Sequence, residues 1–166
     1  MNDDIVSKQL YNYLKPLLPG IDRALINKLN FNSFDLSKDS VFCCKRNCAS
    51  EVFVSILLSL HTADYFKVIS LTRLLAINDA YKTKYEDPEY GALGAITDTK
   101  ILFITSGGFE VPKHTGNVLD VIFSTRRALG LKTYIFHHGS KVDFLNYKST
   151  LVSNVYSLDV RGGSNV

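Results

Sequence analysis

Six residues with chemically useful side chains crowd into one short stretch, SVFCCKRNCASEVFVSILLSL (Ser40–Leu60): Cys43, Cys44, Lys45, Arg46, Cys48 and Ser50. Thiols at the right spacing hold zinc. A strand, a loop and a helix in that order hold phosphate when glycines turn the backbone N–H groups inward and a lysine closes the loop, as in G-x-x-x-x-G-K-[ST]. On that frame Cys43 stands at the first glycine, Cys48 at the second, Ala49 at the lysine and Ser50 at the final hydroxyl. Ser50 alone is of the required type. Lys45 and Arg46 lie inside the loop, not at its end where β/γ charge would be neutralised. Zinc would need a fourth ligand and CxxC-like spacing, and His114 and the His137–His138 pair are distant in sequence. An odd cysteine number so closely spaced is also no secreted disulfide framework. The thiols are therefore read as small, partly buried side chains, and no metal site is expected.

Other residues invite chemistry less specifically. Arg126–Arg127 falls on the last turn of an expected helix, where cations complement the helix dipole and could also meet an acidic partner or nucleic-acid phosphate. His137–His138, with His114, could form a catalytic or metal pair, against the plainer reading of a polar strand end. Asp98, Glu110 and Lys113 approach a nuclease pattern, but the spacing is Glu-x-x-Lys and Pro112 interrupts the strand that would align them. Tyr11, Tyr13, Tyr81, Tyr85 and Tyr90 are too dispersed for a base-stacking platform. No catalytic residue is assigned.

These residues need a scaffold, and the composition supplies a globular one. The chain has 166 residues, 46% hydrophobic and 21% charged, enough for one domain with a real core. A net charge of +3 permits nucleic acid or an acidic partner, though no dense Lys/Arg block argues for either. The start MNDDIVSK is acidic, and no apolar run approaches the length of a membrane span, so a soluble, cytoplasmic protein without membrane contact is expected.

Periodicity places helices at Asp4–Leu18 and Ile21–Leu29, then a strand at Ser40–Cys44. Glu51–His61 is apolar almost all round and reads as a buried helix. A strand at Tyr65–Ser70, a helix at Leu71–Tyr81 and a surface loop at Lys82–Ala95 follow. Ile101–Ile104 is a strand of the kind buried on both faces, with Thr105–Gly108 as the turn after it. Asn117–Leu129 is a helix with Gly130 at its C-cap; strands at Thr133–Phe136 and Val152–Leu158 flank a short helix at Lys141–Tyr147. The alternation predicts an α/β fold: a doubly wound, mostly parallel five-stranded sheet over residues 31–160, preceded by a helical extension (1–30) and followed by a tail (161–166). Right-handed crossovers gather Cys43–Ser50, Ser70–Leu71, Thr105–Phe109 and His137–Ser140 at one sheet edge.

Four stretches carry a more specific likeness: FNSFDLSKDSVFCCKRNCASEVFVSILLSL, FKVISLTRLLAINDAYKTK, LGAITDTKILFITSGG and VLDVIFSTRRALGLKTYIFHHGS. In order, from Phe31 to Leu158, they resemble the ATPase core of the bacterial helicase-loader family of AAA+ proteins (the DnaC, DnaI and IstB type). The resemblance implies a nucleotide site at Cys43, Lys45, Arg46, Cys48, Ala49, Ser50, Thr105, Ser106 and His138. It also implies that this site is degenerate. Thr105 and Ser106 stand where the family has an acidic pair, and His138 where it has the asparagine sensor. Leu151–Val155 has no arginine to act on a neighbour's nucleotide. The implied protein is a pseudo-ATPase that binds neither ATP nor Mg²⁺. It would act by contact with a replicative helicase, a loader ATPase or a copy of itself, with Asp4–Leu29 and Lys82–Ala95 as docking surfaces. The alternatives are a direct nucleic-acid-binding module, an enzyme (nuclease or hydrolase) using His138, Ser106 or a metal at the same edge, and a self-assembling structural protein.

Overall fold

Ser40–Cys44 forms a strand, β1, whose five residues are all buried. No polar side chain interrupts SVFCC after Ser40, so both faces of the strand can be covered by other elements. This computed structural model describes residues 12, 15–16, 20–29, 34–60, 66–84, 99–107, 115–140 and 154–158. Around β1 it arranges α1 (Arg23–Lys28), α2 (Ala49–Ser59), β2 (Phe66–Ser70), α3 (Leu71–Lys84), β3 (Ile101–Gly107), α4 (Thr115–Ala128), β4 (Lys132–His138) and β5 (Asn154–Ser157). The strands lie in the order β2–β3–β4–β1–β5, and every neighbouring pair is parallel. The expected sheet is thus present, and among the described strands it is wholly rather than mostly parallel.

Period-two alternation assigns each strand residue to a face. Phe42 and Cys44 of β1, Phe103 of β3 and Tyr134 and Phe136 of β4 pack with Phe53, Ile56 and Leu57 of α2 and with Leu25 and Ile26 of α1. Aromatic rings dominate here: Phe53 stacks on Phe103 at 4.4 Å and meets Phe136 edge-on at 6.3 Å. The opposite face carries Val41 and Cys43 of β1, Ile69 of β2, Leu102 and Ile104 of β3 and Ile135 of β4. It is covered by Leu71, Leu74 and Leu75 of α3 and by Leu119, Ile122 and Phe123 of α4. All three cysteines are buried thiols, more deeply placed than expected, and Cys43 faces away from Cys44.

The amino edge of the sheet is tied by polar groups. Arg126 near the end of α4 is fully buried, at 0% exposure. Its Nε donates to Thr133 Oγ1 at 2.8 Å, and one terminal nitrogen donates to the carbonyls of Thr99 at 2.8 Å and Lys132 at 2.9 Å. The guanidinium therefore joins the lead-in to β3, the start of β4 and α4, using a planar fork of donors. This corrects the expectation that Arg126 offers a surface contact: full burial removes it from a partner's reach. Arg127 does remain exposed, and pairs with Asp39 at 3.3 Å. Asp39 in turn accepts from the Thr133 backbone N–H at 3.0 Å, which fixes the start of β1 against β4. Tyr134 donates to the Leu36 carbonyl, and burial, reinforced by Asp39 and Asp35, raises its phenol above its usual range.

Gly130 closes α4 as the sequence requires. With φ of 71° it carries a Schellman motif, in which the Leu131 N–H reaches the Arg126 carbonyl and the Gly130 N–H reaches that of Arg127. Other boundaries move. Lys82–Lys84, expected in a loop, continue α3. The helix expected at Glu51–His61 begins two residues earlier, at Ala49, and ends at Ser59. Of the Asp4–Leu18 helix only Asn12, Lys15 and Pro16 are described, and the helix at Lys141–Tyr147, residues 85–98 and the tail 161–166 lie outside the described residues, as do Asp98, Glu110, Lys113 and His114.

The two adjacent arginines should separate sharply in their effect on stability. Arg126→Leu orphans a buried hydroxyl and two carbonyls and should cost about 3 kcal/mol. Arg127→Leu, which removes a half-exposed ion pair, should cost less than about 1 kcal/mol. Urea unfolding checks this: the midpoint should fall far more for Arg126→Leu, with the slope unchanged.

Candidate functional site

The carboxyl ends of β1, β3 and β4 meet at the edge where ligand crevices open in sheets of this topology. β1 and β4 are sheet neighbours although β2 and β3 come between them in sequence. The register sets Cys43 beside His137 and Cys44 beside His138, with Ser106 on the other side of His137. After Cys44 the chain makes a four-residue turn, Lys45–Cys48, and enters α2 at Ala49. Lys45, Arg46 and Asn47 are exposed, while Cys48 is the buried N-cap residue of α2 and makes no side-chain capping hydrogen bond.

Cys43 lies inside β1, within the expected strand Ser40–Cys44, and its carbonyl accepts from the Leu158 N–H at 2.8 Å, extending the ladder toward β5. Four other residues shift. Thr105 and Ser106, expected in a turn, are strand residues, because β4 runs on to His138 and β3 must run alongside it to satisfy both ladders. His137 and His138 likewise belong to β4, where they were expected to follow it. Threonine and serine are compatible with strands, and the glycines after them masked that signal.

His137 is 3% exposed, and its Nδ1 lies 3.0 Å from Ser106 Oγ, a cross-strand hydrogen bond between residues distant in sequence. A serine and a histidine in contact can form a nucleophile and base, but here the imidazole is buried. His138 is exposed, and its Nε2 donates to the Lys45 carbonyl at 3.0 Å, holding the turn against β4. Gly139 continues this pairing through its N–H to the Cys44 carbonyl at 2.9 Å. On the other side of the turn, Cys48 Sγ donates to Cys44 Sγ at 3.6 Å. That hydrogen bond, followed by burial, raises the Cys48 thiol well above the usual thiol range.

Glu51 is the site residue that sequence reasoning missed. It is buried in the first turn of α2, and its Oε1 accepts from the Asp22 backbone N–H at 2.8 Å. Asp22 itself N-caps α1, its side chain accepting from the N–H groups of Ala24 and Leu25. A carboxylate at a helix N-terminus is favoured by the dipole, and here it also locks the two helices together. The signal available was an acid one residue after Ser50, inside an otherwise apolar helix. Among the described residues no three His, Cys, Asp or Glu side chains converge as a metal site would require. No helix among them is long and apolar enough to cross a membrane.

A five-stranded, all-parallel sheet in this order, with helices on both faces, defines the α/β fold of the P-loop and AAA+ proteins. Among solved structures the chain is similar to the DnaC helicase loader, with a TM-score of 0.54 and 13% identity over 82% of this chain and 85% of that one. It also matches DnaI (TM-score 0.48, 12% identity, 84% of this chain and 79% of that one) and AMPPCP-bound DnaA from Aquifex aeolicus (TM-score 0.45, 10% identity, 82% and 44%). At 13% identity the likeness to the DnaC helicase loader is one of fold. No family profile matches the chain, and no curated protein sequence matches it.

Glu51 offers a direct check on how this edge is held. Glu51→Ala should destabilise the protein by about 1–2 kcal/mol through the orphaned Asp22 N–H, whereas Glu51→Gln, which keeps an acceptor, should recover most of that loss in urea unfolding.

Proposed function

We propose that this protein is an AAA+-like subunit that has lost its nucleotide site and works by protein–protein contact, as a subunit or modulator of a DNA replication or recombination assembly. The observation that carries the proposal is the content of the turn between β1 and α2. A phosphate cradle needs backbone N–H groups aimed at the ligand, commonly through glycine, and a lysine at the helix entrance. This turn has four residues and no glycine, and Ala49 stands at the entrance. The Glu51 carboxylate sits in the first turn of α2, adding negative charge where phosphate would bring its own. At the end of β3, Thr105 and Ser106 supply hydroxyls in place of the carboxylates that hold Mg²⁺. The residues present do not fit Mg·ATP.

The likeness in fold to a helicase loader supports the class of partner: a replicative helicase, a loader ATPase, or a second copy of this chain. The burial of Arg126 weakens the direct nucleic-acid reading, because it withdraws one of the two cations that reading used. Arg127 keeps a half-exposed guanidinium, paired with Asp39.

Light scattering coupled to size exclusion tests the proposal, with the protein mixed with a replicative helicase, with its loader, and alone. A stable complex or self-assembly that is unchanged by ATP is the expected result. A protein that stays monomeric in every mixture, or associates only when ATP is present, would contradict it.

A further inference from the structure

We propose that Cys44 and Cys48 are a reversible oxidation site, at which a hydroperoxide converts the two thiols into an intramolecular disulfide that bridges the turn between β1 and α2. The two sulfurs already touch at 3.6 Å, one at the end of a strand and the other at the N-cap of a helix. A disulfide requires them to close to about 2.05 Å, a movement within reach of side-chain rotation when both anchoring elements are already in place. Face assignment makes the pair specific. Cys44 and Cys48 belong to the core beneath α1 and α2, whereas Cys43 belongs to the core beneath α3 and α4. A vicinal Cys43–Cys44 bond would have to pull one side chain through the sheet.

The chemistry balances with one peroxide. One thiolate attacks the peroxide oxygen, giving a sulfenic acid and, with a proton, one water. The second thiol then attacks the sulfenic sulfur, forming the S–S bond and releasing the second water. Two thiols lose two electrons and two protons, and hydrogen peroxide is reduced to two waters.

At rest the site is protected, since Cys44 and Cys48 are 3% and 1% exposed and Cys48 is held as the thiol. Access comes through the exposed residues Lys45–Asn47, which are fastened to β4 by the His138 hydrogen bond to Lys45 and by the Gly139–Cys44 bond. Local opening of this turn exposes the thiol before reaction, and the product clamps the turn shut. The site therefore responds to sustained rather than brief oxidant, and its product fixes Lys45 and Arg46 in place whatever partner the protein takes.

The test uses the full chain, reduced, freed of reductant and exposed to millimolar hydrogen peroxide. Thiols are then counted by maleimide labelling in denaturant, and tryptic peptides are mapped. Trypsin cuts after Lys45 and Arg46, between the two cysteines, so the bond appears as a link between peptides 39–45 and 47–67. The expected result is a fall from three reactive thiols to one, reversed by dithiothreitol, with the link preserved in Cys43→Ser and lost in Cys44→Ser and Cys48→Ser. Three thiols surviving the treatment, a bond through Cys43, links between two chains only, or sulfinic products without the 39–45 to 47–67 link would each overturn the proposal. Peptide 39–45 holds both Cys43 and Cys44, so fragmentation of the linked peptide between these two residues assigns the bridging sulfur in the unmutated protein, even where a serine variant fails to fold.

Discussion

The rest of the structure depends on β1 being closed in on every side. It pairs with β4 on one edge and β5 on the other, and aromatic and aliphatic cores cover its two faces. Such a strand must satisfy its ladders fully and carry only side chains that two cores accept, which is why Val41, Phe42, Cys43 and Cys44 are what they are. The ladder extends beyond the strand itself, through Leu158 to Cys43 and Gly139 to Cys44. The connection from β1 to α2 is then the four-residue turn Lys45–Cys48.

In nucleotide-binding proteins of this topology the turn after the central strand wraps an anion. Here it is held by protein groups: the His138 ring on one side, the Cys44–Cys48 contact on the other, and Glu51 within the helix it leads into. Each of these contacts fastens the turn, or the helix after it, to a neighbouring element of the protein. The amino edge shows the same economy, with Arg126 spending its donors on Thr99, Lys132 and Thr133. Polar groups at both edges thus serve the fold.

Much of the architecture is written in short-range pattern. The runs SVFCC, FKVIS and ILFI have the length and β-branched or aromatic content of buried strands, and each is one. Gly130 marks the end of α4 because only a residue at ease with positive φ completes that cap. What the sequence conceals is tertiary. The polar tails of β3 and β4 read as turns because Thr105, Ser106, His137 and His138 suit either state, and only their mutual pairing settles it. Arg126 and Arg127 are indistinguishable in sequence, yet one helical step of about 100° sends one into the interior and leaves the other at the surface. Glu51 was invisible as a site residue because its partner, the Asp22 N–H, lies far back along the chain.

The central claim, that this edge no longer takes nucleotide, is tested most directly by calorimetric titration of the full chain with Mg·ATP and Mg·ADP at millimolar concentration. The account predicts no binding heat beyond dilution. A saturable heat that disappears in the Lys45→Ala, Arg46→Ala and Ser50→Ala variants would contradict it, and would mean that the turn opens to receive phosphate after all.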